Sequence, residues 1–145
     1  MTPSSSAVRS GTRATSQTST SAQASWVGIV DDDASLRSAL ARALRGSGLR
    51  VEAFGSAEEF LERGDLDAAD CIVLDIHLGG LSGFDLRDRL MAAGTAPPIV
   101  FITGHDDVFA RRARESGALG CLRKPFDVSE LLALLRPHLR SSTSR

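Results

Sequence analysis

Between Trp26 and Leu139 the chain alternates five times between a short apolar run and a helical spacing of apolar residues. The runs are Val27–Val30, Arg50–Phe54, Cys71–Leu74, Ile99–Ile102 and Cys121–Arg123. Short runs with little polar alternation make strands buried on both faces, and strict strand–helix alternation makes a parallel sheet. Crossovers between parallel strands are right-handed, which leaves few ways to order them. The expected fold is α/β: a flavodoxin-like, doubly wound, five-stranded parallel sheet of order 2-1-3-4-5, with helices on both faces. In that order the chain reverses direction between the first and third strands. Ligands bind outside the carboxyl ends of the strands at that switch point.

The residues just past the runs are chemically unlike their neighbours. The first run ends in Asp31, Asp32 and Asp33, and the third ends in Asp75. The fourth ends in Thr103 and the fifth in Lys124-Pro125. Like charges in a confined cleft repel and are costly to desolvate, so acids gathered at one rim require a cation to collect them. Carboxylates, a hydroxyl and an ammonium make up the inventory of a site for a divalent metal and a phosphoryl group.

Punctuation places these residues on elements. Asp33 is an N-cap for a helix carrying Leu36, Leu40, Ala43 and Leu44, stopped by Gly46 and Gly48. Ser56 with Glu59 reads as a capping box before a short helix that turns Phe60 and Leu61 inward. A third helix follows Ser82, with Leu86 and Leu90 inward, and a fourth spans roughly 106–116, ended by Gly117. Asp127 with Glu130 opens the last helix, which buries Val128, Leu131, Leu132, Leu135 and Leu139. Pro137 falls inside that pattern and should kink the helix or end it early.

Residues 1–24 are rich in Ser, Thr, Ala and Gln and have almost no large hydrophobes, so they are read as a disordered tail. The folded domain is expected over 25–140, with a short tail at 141–145. A net charge of -1 gives no basic footprint for nucleic acid. No secretory segment or long apolar run argues for export or for a membrane span, and the expected location is cytoplasmic. Cys71 and Cys121 lie in strand runs and read as small buried hydrophobes.

Each strand-end residue has a plainer reading. Asp33 is assigned to capping and left out of the metal shell. Thr103 before Gly104 could simply close a strand, and Lys124 could be a solvated surface lysine. His77 and His105 stand close to the cleft in sequence, but the surrounding donors are all oxygen, which disfavours a soft metal. Asp32 and Asp75 are the natural ligand pair for Mg²⁺, and an Asp75 oxygen could attack phosphorus to give an acyl phosphate. Two other classes remain open. An aspartyl-nucleophile phosphohydrolase would want a second acid at His77, and a constitutive binding module would need no phosphoryl chemistry at all.

The chain resembles the receiver domains of two-component response regulators. The matching residues are Val30-Asp31-Asp32, Asp75 eight residues before Gly83, Thr103-Gly104 and Lys124-Pro125-Phe126, across 26–139. The stretch Ile102 to Val108 resembles the nitrogen-fixation-type subgroup. The resemblance implies that Asp75 is the phosphoacceptor, with a sensor histidine kinase or a histidine phosphotransfer protein as donor. It implies Mg²⁺ held by Asp31, Asp32, Asp75 and the backbone carbonyl of His77. Thr103 and Lys124 would sense the phosphoryl group and drive the switch. Catalysis would extend only to the domain's own phosphotransfer and autodephosphorylation.

Two departures stand out. Leu78-Gly79 replace the family's usual Met-Pro and are followed by Gly80, so a looser loop is expected. Cys121 replaces the usual aromatic switch residue, so the signal is expected to travel through backbone shifts of the Thr103 and Lys124 loops. With only a short tail after the last helix, the expectation is a single-domain regulator working by protein–protein contacts, as a shuttle, sink or diffusible switch. Its downstream target is unknown, and neither nucleic acid nor membrane is expected to be a direct partner.

Overall fold

The computed structural model describes residues 26–63, 69–104 and 107–139. The two tails and His105, with the expectations attached to them, lie outside these residues. In chain order the elements are β1 (Trp26–Val30), α1 (Ala34–Gly46), β2 (Val51–Phe54), α2 (Ala57–Arg63) and β3 (Ala69–Asp75). They continue as α3 (Gly83–Ala92), β4 (Ile99–Thr103), α4 (Asp107–Glu115), β5 (Gly120–Arg123) and α5 (Val128–Leu135), with a 3₁₀ turn over Arg136–His138. The strands form one parallel sheet of order β2-β1-β3-β4-β5, as the alternation implied.

Pleating divides the core in two. Ile72 and Leu74 point to the layer made with Phe60 of α2, Phe84 and Leu90 of α3 and Ala113 of α4. Cys71 and Val73 point the other way, toward Leu40 and Leu44 of α1 and Leu131 and Leu135 of α5. Every residue of β3 is buried, which is why the run carries no polar alternation. Burying one such side chain contributes roughly 1.5–3 kcal/mol, so the two layers dominate the stability of the sheet.

Register sets the rim. Val30 pairs with Leu74, so Asp31 and Asp75 stand side by side one residue further on. Thr103 pairs with Arg123, which brings Lys124 to the same edge, and the Lys124 N–H donates to the Thr103 carbonyl at 2.8 Å.

Local signals act largely as written. Asp33 caps α1 by accepting from the Leu36 N–H at 3.1 Å, and Gly48, at φ +92°, turns the chain after it. Ser82 and Asp85 form a reciprocal capping box at 3.0 Å in each direction. Pro137 does end α5, which tightens into the 3₁₀ turn after Leu135. Three expectations need correction. Glu59 accepts from the Gly55 N–H and not from its own N-cap, so the Ser56–Glu59 capping box is only half formed. Val128 and Leu132 are half-buried, because α5 covers the sheet with a narrow stripe. Ala41, and not Ala43, is buried on the inner face of α1.

Two glycines permit close approaches. The Trp26 ring lies over Gly28, where a Cβ would stand 3.0 Å from it, and reaches Phe54 and Phe60 with centroids at 6.2 Å. Gly83 packs directly on the chain leaving β3. A Cβ there would collide with the Asp75 carbonyl oxygen and come within 3.0 Å of the Ile76 Cα. The interval from Asp75 to Gly83 is therefore a packing constraint that fixes α3 against the rim. Gly83→Ala is expected to cost about 1–3 kcal/mol in urea unfolding, as overpacking against backbone does. Unchanged stability would show that this contact relaxes freely.

Candidate functional site

At the carboxyl rim of the sheet Asp31 is fully buried and Asp75 nearly so, while Asp32 is exposed. Asp31 Oδ1 accepts from the Asp33 N–H at 2.9 Å, and its main-chain oxygen accepts from Arg37 Nη1 at 2.7 Å. Asp75 Oδ1 accepts from the His77 N–H at 3.0 Å. Lys124 Nζ donates to Asp75 Oδ2 at 3.0 Å. The same ammonium stands 3.0 Å from Asp31 Oδ2, an ion pair without the alignment of a hydrogen bond. Carboxylate oxygens of Asp31, Asp32 and Asp75 all lie within 4.8 Å of one another. Thr103 is buried at the end of β4, and the Lys124-Pro125 peptide is cis.

Two carboxylates thus share one ammonium, with a third beside them. Burial pushes the Asp75 carboxyl above its ordinary value. The Lys124 hydrogen bond pulls it back, and the neighbouring charge of Asp31 adds to the rise. For Lys124 burial works against the charge, but its close contacts with the Asp31 and Asp75 carboxylates outweigh it and the net shift is upward. The donor set is all oxygen and carries excess negative charge, which fits a hard divalent ion.

The plainer reading of Lys124 loses ground, since its ammonium stands between Asp31 and Asp75. Asp33 stays a cap. No histidine joins the carboxylate cluster among the described residues. The His77 ring instead meets Phe109 of α4 edge-on, with centroids at 4.7 Å. Cys121 is half-buried and packs beside the layer containing Phe101, its partner across β4 and β5, so it is less enclosed than Cys71. Burial raises both thiols, Cys71 to about 12. Three contributors had no signal in the sequence. Arg37 holds the Asp31 carbonyl, Phe109 meets His77, and Glu58 accepts from the Leu81 N–H at 3.2 Å.

A doubly wound sheet with acids and a lysine at its switch point defines a receiver. The chain belongs to the response regulator receiver domain family, whose model matches residues 27–136, and so to two-component signalling. Nodulation protein W of Bradyrhizobium diazoefficiens is 46% identical over 105 residues, covering 72% of this chain and 46% of that protein. Transcriptional regulatory protein FixJ of Azorhizobium caulinodans is 38% identical over 120 residues, covering 82% of this chain and 57% of that protein. The solved structure of FixJ-N superposes with a TM-score of 0.68 at 34% identity, covering 78% of this chain and 94% of that one. The nitrogen-fixation-type likeness of residues 102–108 is thereby supported. The chain spans about half the length of the curated relatives it matches. No helix among the described residues is long and apolar enough to cross a membrane.

The charge balance has a sign. A carboxyl raised on folding contributes stability that is present below its ordinary value of 3.8 and lost as pH rises through the raised value. Ionised Asp75 is therefore a net burden on the fold at neutral pH. Asp75→Asn, which leaves Lys124 paired with Asp31, is expected to raise the melting temperature by a few degrees at pH 7 without metal. The gap should close as pH falls through the Asp75 titration. An equal or lower melting temperature at pH 7 would contradict this balance.

Proposed function

We propose that Asp75 accepts a phosphoryl group from a phosphohistidine on a sensor kinase or a histidine phosphotransfer protein in the cytoplasm. The reading rests on one observation: Lys124 bridges Asp31 and Asp75 at the switch point of the sheet. An Asp75 carboxylate oxygen attacks phosphorus, an O–P bond forms, and the P–N bond breaks with its electron pair returning to the imidazole. Such transfer depends on positioning and charge stabilisation more than on proton transfer. Asp31, Asp32 and Asp75, with the carbonyl of His77, would hold Mg²⁺. Bound there, the ion supplies charge neutralisation for the phosphoryl oxygens. Lys124 exchanges a carboxylate partner for a phosphoryl oxygen, and the Thr103 hydroxyl donates to another.

Output then passes through protein–protein contacts on the face of α4, β5 and α5. A single-domain shuttle or sink and a receiver module of a longer regulator would use the same face. The size of the polypeptide detected by antibody in native lysate tells them apart. Incubation with acetyl phosphate and Mg²⁺ should label the chain stoichiometrically and leave Asp75→Asn unlabelled. Rapid turnover of the donor would favour a phosphohydrolase, and no label on the parent chain would favour a binding module.

The switch is expected to work with fewer contacts than usual, since Cys121 lacks a ring. A ligand shifts a two-state equilibrium only by its differential affinity, so coupling to a partner should lie low within roughly 1–3 kcal/mol. Lys124→Ala should abolish most of that coupling and Cys121→Phe should increase it. Partner affinity measured with and without phosphorylation tests both, and coupling untouched by either substitution would contradict the account.

A further inference from the structure

The segment between Asp75 and α3 lacks the family's proline, yet it is fastened at several points. The His77 N–H donates to Asp75 at 3.0 Å, and the Gly83 N–H donates to the Ile76 carbonyl at 2.9 Å. Between these anchors the Leu81 N–H donates to Glu58 Oε2 at 3.2 Å, across 23 residues of sequence. Glu58 belongs to the first turn of α2, where a carboxylate normally serves its own helix. Here it lies flat against Gly80, where a Cβ would stand 2.6 Å from Oε2 and 3.1 Å from Oε1. On the inner side a Cβ at Gly79 would stand 3.7 Å from Asp32 Oδ2. The loop is thus fastened to an acid of α2 and runs past Asp32 of the candidate metal cluster.

We propose that Glu58 is a positioning residue. It replaces the stiffness of the missing proline by clamping the loop after Asp75 against the acidic cluster, and it does so because position 80 is glycine. The proposal rests on the phosphoacceptor reading of Asp75. The geometry favours a clamp over a merely solvated glutamate, because Glu58 accepts from the Leu81 N–H and Gly80 has no side chain to keep the carboxylate off the loop. Gly80 is not among the glycines with positive φ, so its role is steric and not conformational. Holding the loop fixes the His77 carbonyl and the Asp75 oxygen that accepts from His77 N–H. Glu58 also places a negative charge at the rim, which would slow an anionic phosphodonor. Position and charge therefore act in opposite directions, and the two substitutions Glu58→Ala and Glu58→Gln separate them.

Three quantities are measured on the full chain: Leu81 amide hydrogen exchange, Mg²⁺ affinity by direct titration, and the initial rate of labelling by acetyl phosphate. Loss of one charge-assisted hydrogen bond on an exposed carboxylate should raise Leu81 exchange by about tenfold in Glu58→Ala. Mg²⁺ affinity and labelling rate should each fall about threefold. Glu58→Gln, which keeps an acceptor oxygen, should stay within about twofold of the parent in exchange and Mg²⁺ affinity. Gly80→Ala should reproduce Glu58→Ala, and the double variant should be no worse than either, because both remove one contact. Unchanged Leu81 exchange in Glu58→Ala overturns the clamp. So does a Glu58→Gln variant as impaired as Glu58→Ala, which would make the effect one of charge. Absence of label on the parent chain, with Leu81 exchange still responding, overturns the phosphoacceptor reading and the transfer role built on it.

Discussion

Lys124 extends its ammonium to within 3.0 Å of carboxylates on two different strands, and those carboxylates are among the few charged groups the sheet buries. Left without a cation, two buried acids in contact would cost several kcal/mol, which is more than a small domain can spare. The lysine therefore acts as a resident counter-ion for a cluster that still carries more negative than positive charge. That surplus makes the rim receptive to a divalent cation. On the proposed reading, a phosphoryl group would replace one carboxylate as the partner of the shared ammonium. Parallel register supplies the geometry, because β1, β3, β4 and β5 all end at the same edge.

The sheet order and the position of the site were legible because both follow from local rules. Strand runs buried on two faces cannot alternate, crossovers have one hand, and the residue past each run must sit at the rim. Caps were legible where the capping side chain has one available N–H, as at Asp33 and Ser82. At Glu59 a second N–H, that of Gly55, lay within reach and won. The fastening of the loop after Asp75 was not legible. Its key contact joins Glu58 to Leu81 across elements, and nothing in either local segment encodes it. Cys121 reads like Cys71 in sequence, but β5 has a strand on one side only and leaves its residues partly open.

The same edge position bears on signalling. In place of an aromatic ring at position 121, the site reaches α4 through the edge-on contact of His77 with Phe109. It reaches α5 through Lys124, whose loop runs directly into that helix. Both routes start within two residues of Asp75 or on its ion-pair partner. Under the proposed function, these packed groups are the routes by which a displacement at the rim would reach the α4–β5–α5 face.

Lys124 occupies the electrostatic place of a cation at Asp31 and Asp75. Mg²⁺ affinity of Lys124→Met, compared with the parent chain by titration and with folding followed in the same samples, tests it directly. Removing a positive charge beside the cluster should tighten Mg²⁺ binding by at least about threefold, while the metal-free variant unfolds more easily. Mg²⁺ binding that is unchanged or weaker in a folded Lys124→Met would show that the ammonium and the ion do not compete for the same charge.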